Sequence, residues 1–161
     1  MAGVLLMVVV GCGPEGGLGP TSFQSQYNAA RTALESGRYA RAISGYARLL
    51  EQAGPFAARL RLELAHSYLR DNQFAAAAQE ARALAAGLDG SDRAAALAVQ
   101  ATADHELGLA ALSAGDRASG AAFLRQADGA MQTVIDNHPD LDPLGALAAR
   151  RASIAVRLRG L

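Results

Sequence analysis

Three histidines, one cysteine and fifteen acidic side chains are the groups in this chain with reactive potential. His66, His105 and His138 lie far apart. None forms the His-x-x-x-His spacing that would put two imidazoles on one helix face for zinc. Cys12 is the only thiol, so no cysteine pair is available within the chain for a disulfide or a metal. There is no lysine, and hence no Gly-x-x-x-x-Gly-Lys phosphate loop. No Gly-x-Ser-x-Gly nucleophile elbow occurs. Asp71, Asp104 and Glu106 would act as paired carboxylates only if the fold brought them together. These residue types point away from an enzyme, and they call for neither a cofactor nor a metal. Formal net charge is zero, which argues against the basic footprint that nucleic acid requires.

Cys12 does have a chemical context. Residues 4–10 are apolar throughout, and Val9-Val10-Gly11 leads into the thiol. The run is too short for a bilayer span of about 20 residues, but suits the apolar core of a signal peptide. It resembles a bacterial lipobox, which implies cleavage before Cys12 and lipidation of that cysteine. Met1-Ala2-Gly3 lacks the usual basic residue, a departure that a start upstream of Met1 would explain. On this reading, residues 1–11 are a lipoprotein signal peptide. Residues 12–21 are then the lipidated cysteine and a flexible linker, whose GPEGGLGP core blocks helix and strand and reaches about 15 Å. A buried or frayed apolar N-terminus is the alternative. Gly13 follows the cysteine where inner-membrane lipoproteins carry Asp. By that resemblance the expected place is the cell envelope, at the outer membrane facing the periplasm in a Gram-negative source.

The remaining residues, 22–161, read as one helical domain. The chain is 51% hydrophobic but only 5% aromatic, with alanine and leucine dominant, and these favour helix. No segment alternates as a strand would. One frame recurs three times: Ala30, Leu34, Gly37, Tyr39, Ala42; then Ala65, Leu69, Asn72, Phe74, Ala77; then Gly108, Leu112, Gly115, Arg117, Gly120. Small residues placed symmetrically about a turn let two antiparallel helices approach closely. Gly or Asn at the turn supplies the left-handed backbone that ends the first helix, and an aromatic two residues on can fold over the joint.

The turn residues step by 35 and then 43 positions, the first close to the tetratricopeptide period of about 34. The chain resembles a tetratricopeptide-repeat protein from about Phe23 to Leu88, and more loosely to its end. Tyr39, Ala42, Ile43, Tyr46 and Pro55 carry the match. Gln26 stands where the family has Trp, Pro55 falls one residue late, and Arg117 replaces an aromatic. The expected fold class is all-α: a TPR-like α-solenoid of three antiparallel hairpins plus a C-terminal capping helix. A plain alanine-rich helical bundle is the alternative.

The expected helices cover 22–36, 38–52, 55–70, 73–86, a segment capped by Ser91-Asp92 and ending near 114, then 116–137, and a last one begun by Asp142-Pro143. Thr21 with Gln24 forms a capping box for the first. Leu144, Leu147, Ile154, Leu158 and Leu161 form the apolar stripe of the last, beside Arg150, Arg151, Arg157 and Arg159. Those arginines suit anionic headgroups or the helix C-terminus.

The family resemblance implies a partner groove along the first helix of each hairpin. It would hold Tyr27, Arg31 and Leu34, then Leu62, His66 and Leu69 flanked by Arg59 and Arg70, then His105, Leu109 and Leu112. With only Glu35 acidic nearby, that face favours a protein or peptide segment carrying acidic groups. The expected role is a membrane-anchored protein-protein interaction scaffold. The other readings are a small-ligand or lipid carrier with an apolar pocket of about 300 Å³ or more, and a homo-oligomer joined through the last helix.

Overall fold

Three turns set the architecture. Gly37, Asn72 and Gly115 adopt φ of 74°, 58° and 84°. Each is the left-handed residue of the same C-terminal cap. Arg38 N–H donates to the Ala33 carbonyl, Gln73 to Tyr68 and Asp116 to Ala111, each at 2.8–2.9 Å, while the turn residue itself donates to the carbonyl three back. This Schellman arrangement satisfies carbonyls that a helix end leaves free.

The computed structural model describes residues 22–161. The expected signal peptide, Cys12, the linker and Thr21 of the capping box lie outside the described residues. The chain forms α1 (Phe23–Glu35), α2 (Tyr39–Leu50), α3 (Ala57–Arg70), α4 (Phe74–Ala86), α5 (Gly90–Ser113), α6 (Arg117–Asn137) and α7 (Ala146–Arg159). There is no strand among the described residues. The fold is all-α. Short 3-10 turns at Gly54–Phe56 and Pro139–Leu141 carry Pro55 and Pro139. None of the described helices is long and apolar enough to cross a membrane.

Several boundaries differ from the sequence reading for local reasons. Ser22 caps α1, its hydroxyl accepting from Ser25 N–H at 3.2 Å. Asp89, not Ser91-Asp92, is the N-cap residue of α5, and Asp92 lies in its first turn. Pro143 does not open α7. Asp142 reaches past it, its carboxylate accepting from Leu147 and Ala148 N–H, both at 3.0 Å. These bonds hold its pKa below the usual carboxylate value.

Consecutive helices pack throughout the described residues, and α3 also meets α5 and α5 meets α7. α1 touches α3 through Tyr27 and Glu63, at 3.4 Å. The hairpins close where side chains are smallest. In the third, a Cβ on Gly108 or on Gly120 would lie 3.2 Å from the other residue's carbonyl oxygen. In the first, Ala30 and Ala42 share one buried cluster, and Gly45 also lies against Ala30: a Cβ there would sit 2.9 Å from the Ala30 Cβ. In the second, Ala65 packs with Ala81 and Val99, while Ala77 joins Leu69 and Ala103. Tyr39 folds back over Gly37, its hydroxyl 3.9 Å from the Cβ position. Arg117, lacking a ring, instead donates to the carbonyls of Gly160 and Leu161 at 3.2 and 2.9 Å. It ties the end of α7 to the start of α6.

Two larger cores result. One joins α1, α2 and α3 around Tyr46, Leu49 and Leu60. The other joins α5, α6 and α7 around Leu124, Met131 and Ile154. Of the expected stripe on α7, Leu147 and Ile154 are buried and Leu158 packs against that core, but Leu144 is 93% exposed in the preceding turn and Leu161 is exposed past the helix end.

Candidate functional site: a cavity between three helices

Helix α5 presents opposite faces to different neighbours. Advancing about 100° per residue, Ala95, Ala98, Val99 and Thr102 fall on one face. Arg93, Leu97, Gln100 and Asp104 fall on the other. The first face meets α3 and the approach to α7. There His66 and Leu69 of α3, the four α5 residues, Leu141, Asp142, Ala146 and Leu147 line a half-open cavity of about 330 Å³. Its floor is mainly apolar, and few of its polar groups are free. Thr102 donates to the Ala98 carbonyl, and the Asp142 carboxylate is committed to the start of α7.

His66 stands exposed at the cavity. Its pKa is lowered, first by desolvation from the protein around it and then by Arg59 and Arg70, with Glu63 opposing. The shift favours the neutral imidazole, which can both donate and accept a hydrogen bond.

The residues expected to line one groove divide into five groups. Leu69 and His66 meet at this cavity. Tyr27, Arg31 and Arg59 gather around Glu63, a carboxylate the sequence reading did not place there. It accepts from Tyr27 at 3.4 Å and Arg59 at 3.0 Å, and lies 3.9 Å from Arg31. Arg31 is also bonded to Glu35 at 2.8 Å. That cluster balances its own charge, so it is less cationic than expected. The spacing Arg59-x-x-x-Glu63 was the signal that could have revealed it.

Arg70 turns toward α2, 5.7 Å from the Tyr39 ring centre and 3.2 Å from its hydroxyl. Leu34, Leu62, Leu109 and Leu112 pack into the cores, and Leu112 lies directly against Gly120. His105 is buried under α7, because Arg150 spans its Nδ1 at 3.2 Å and Glu106 at 2.7 Å. Arg150 and Arg151 are thus not free for an anionic surface: Arg151 bonds Asp128 of α6 at 3.0 Å.

The three carboxylates with catalytic potential stay apart. Asp71 accepts from Gln73, Asp104 faces α4, and Glu106 faces α7. Near Phe23, Tyr27, Phe56 and Leu60, a second apolar hollow of about 280 Å³ opens on α1 and α3. The chain matches no protein-family model, no curated protein and no solved structure.

Proposed function

We propose that this chain is a tetratricopeptide-like interaction scaffold of a bacterial cell envelope, anchored by a lipid on Cys12. It holds a protein segment against the faces of α3 and α5. One observation carries this reading: the half-open, mainly apolar cavity between α3, α5 and α7, with His66 beside it. Repeated Schellman joints and small-residue crossings support the solenoid part of the reading. The chemistry of the cavity favours a segment that inserts one or two apolar side chains and hydrogen-bonds His66. Acidic groups on the segment are less favoured than the sequence suggests, because Glu63 already balances Arg59 and Arg31.

The test has two parts. Metabolic labelling with a palmitate analogue should mark the wild-type chain and not Cys12→Ala. Unlabelled wild type in a cytosolic fraction would end the envelope reading. A photocrosslinker in place of His66 should capture a defined protein, and Ala98→Phe, which fills the cavity, should abolish the adduct. A second reading, a small-ligand carrier, is favoured by the cavity volume, which reaches the lower bound for such sites. It expects saturable, one-to-one binding of a fluorescent fatty acid that Ala98→Phe blocks, with no protein adduct.

A further inference from the structure

The opposite face of α5 carries a buried charge. Asp104 is fully buried there, in a helical protein whose cores are otherwise almost wholly apolar. Taking a carboxylate out of water is costly unless it is paired and hydrogen-bonded. Asp104 is so satisfied: Arg82 Nη2 of α4 reaches its two oxygens at 3.1 and 3.2 Å, and Gln100 Nε2 donates at 3.2 Å. The same Arg82 nitrogen lies 3.3 Å from Gln126 Oε1 of α6. The network thus fixes one edge of a guanidinium whose side chain is still 50% exposed.

Arg82 borders an open groove of about 420 Å³ between α4, α5 and α6, also lined by Arg93, Gln100, Arg125, Gln126 and Gly129. Among the described residues, no carboxylate pairs with Arg93 or Arg125. Asp104, the carboxylate bonded to Arg82, is already paired. Arg125 adjoins Gln126, so Arg82 and Arg125 mark one end. Arg93 lies eleven residues before Asp104 on α5, about 16 Å along the axis, and marks the other. Leu97, Gly129 and Ala130 lie between.

Gly129 is the second, independent sign. A glycine inside a helix is destabilising against alanine. Gly108, Gly120 and Gly45 are explained by the atoms a Cβ would strike, and the turn glycines by their positive φ. Neither reason applies to Gly129. It lies mid-helix in α6, its φ is ordinary, and a Cβ there would meet nothing within 4 Å. Gly129 lines the groove, and a long side chain there would take up part of its space.

We propose that this groove binds a phosphate-bearing ligand. The phosphate sits between Arg82 and Arg125 with the Gln126 amide, and the rest of the ligand lies over Gly129 toward Arg93. Guanidinium forks match phosphate oxygens in pairs, and an Arg already held on one edge loses less freedom on binding. The phosphate could belong to a soluble phosphomonoester or to a phospholipid headgroup. This inference is independent of the cavity on the α3 side.

Two probes separate the sources: glucose 6-phosphate in calorimetry, and sedimentation with phosphatidylglycerol vesicles against phosphatidylcholine ones. The full chain should bind one probe saturably. Arg125→Gln and Arg93→Gln should each weaken binding about tenfold or more. Gly129→Leu should abolish it while leaving the melting temperature unchanged or raised, which a purely structural role for this region would not produce. Glucose 6-phosphate binding identifies a soluble ligand, and vesicle binding blocked by Gly129→Leu identifies a headgroup. No saturable response to either probe at about 1 mM, a regime of affinities near −4 kcal/mol, overturns the proposal. So does binding that Gly129→Leu and Arg125→Gln leave unchanged.

Discussion

Replacing glycines one at a time by alanine separates a helical glycine required by a close crossing from one that is not. At Gly129, alanine meets nothing within 4 Å, so only the propensity gain remains, roughly 0.8–1 kcal/mol of stabilisation. At Gly108, the new Cβ would lie 2.8 Å from both Cγ and Cδ2 of Leu124 and 3.2 Å from the Gly120 carbonyl oxygen. At Gly120 it would lie 2.6 Å and 2.5 Å from the same atoms of Leu112 and 3.2 Å from the Gly108 carbonyl oxygen. A leucine Cγ is not a free end. It moves only with its rotamer, and Leu124 is fully buried. Overpacking of this kind costs about 1–3 kcal/mol. Set against the same propensity gain, Gly108→Ala and Gly120→Ala should each be destabilising by roughly 0–2 kcal/mol. The contrast with Gly129→Ala is thus about 1–3 kcal/mol, or very roughly 2–12 °C in Tm for a domain of this size. The double substitution should be non-additive, because the two sites share one crossing. Urea unfolding followed by helical circular dichroism measures all four variants, with the m-value as the check that the denatured state is unchanged. If Gly108→Ala or Gly120→Ala stabilises as much as Gly129→Ala, then α5 and α6 do not approach at this point.

Two further outcomes follow from buried or capping groups. Tyr46 is fully buried and, among the described residues, its hydroxyl has no hydrogen-bond partner. Tyr46→Phe should therefore raise stability by about 1 kcal/mol, an unusual sign for a core change, and a lower urea midpoint would show that the hydroxyl is satisfied. Asp142 has its pKa held below the ordinary carboxylate value, mainly by Leu147 N–H. Its stabilisation is present above the unfolded-state pKa and is lost as pH falls through the lower folded one. Melting curves of wild type and Asp142→Asn should therefore converge on acidification, and curves that stay parallel would remove the capping role. Asp104 works in the opposite direction, since burial raises its pKa.

Local chemistry made the hairpins legible from the chain alone. A residue that tolerates positive φ, flanked by helix formers, ends a helix wherever it stands, so Gly37, Asn72 and Gly115 could be read without coordinates. Alanine and leucine at helical spacing likewise announced helices and no strands. The caps were less legible, because Asp142 reaches across Pro143 to N–H groups five and six residues on.

Partners across helices were decided by the tertiary structure, and so was the cavity. Whether an arginine faces solvent, a carboxylate or a ring depends on the axial stagger and rotation of its neighbours. Arg31 and Arg59 found Glu63, Arg70 found Tyr39, and Arg150 found Glu106. His105 shares a helix face with the other expected groove residues of α5, and α7 covers it. The same stagger set Gly45 against Ala30 and brought Arg82 over buried Asp104. A single helix encodes which residues share a face. Only the packed set of helices determines what that face meets, because the contact depends on three-dimensional offsets that no spacing along one chain contains.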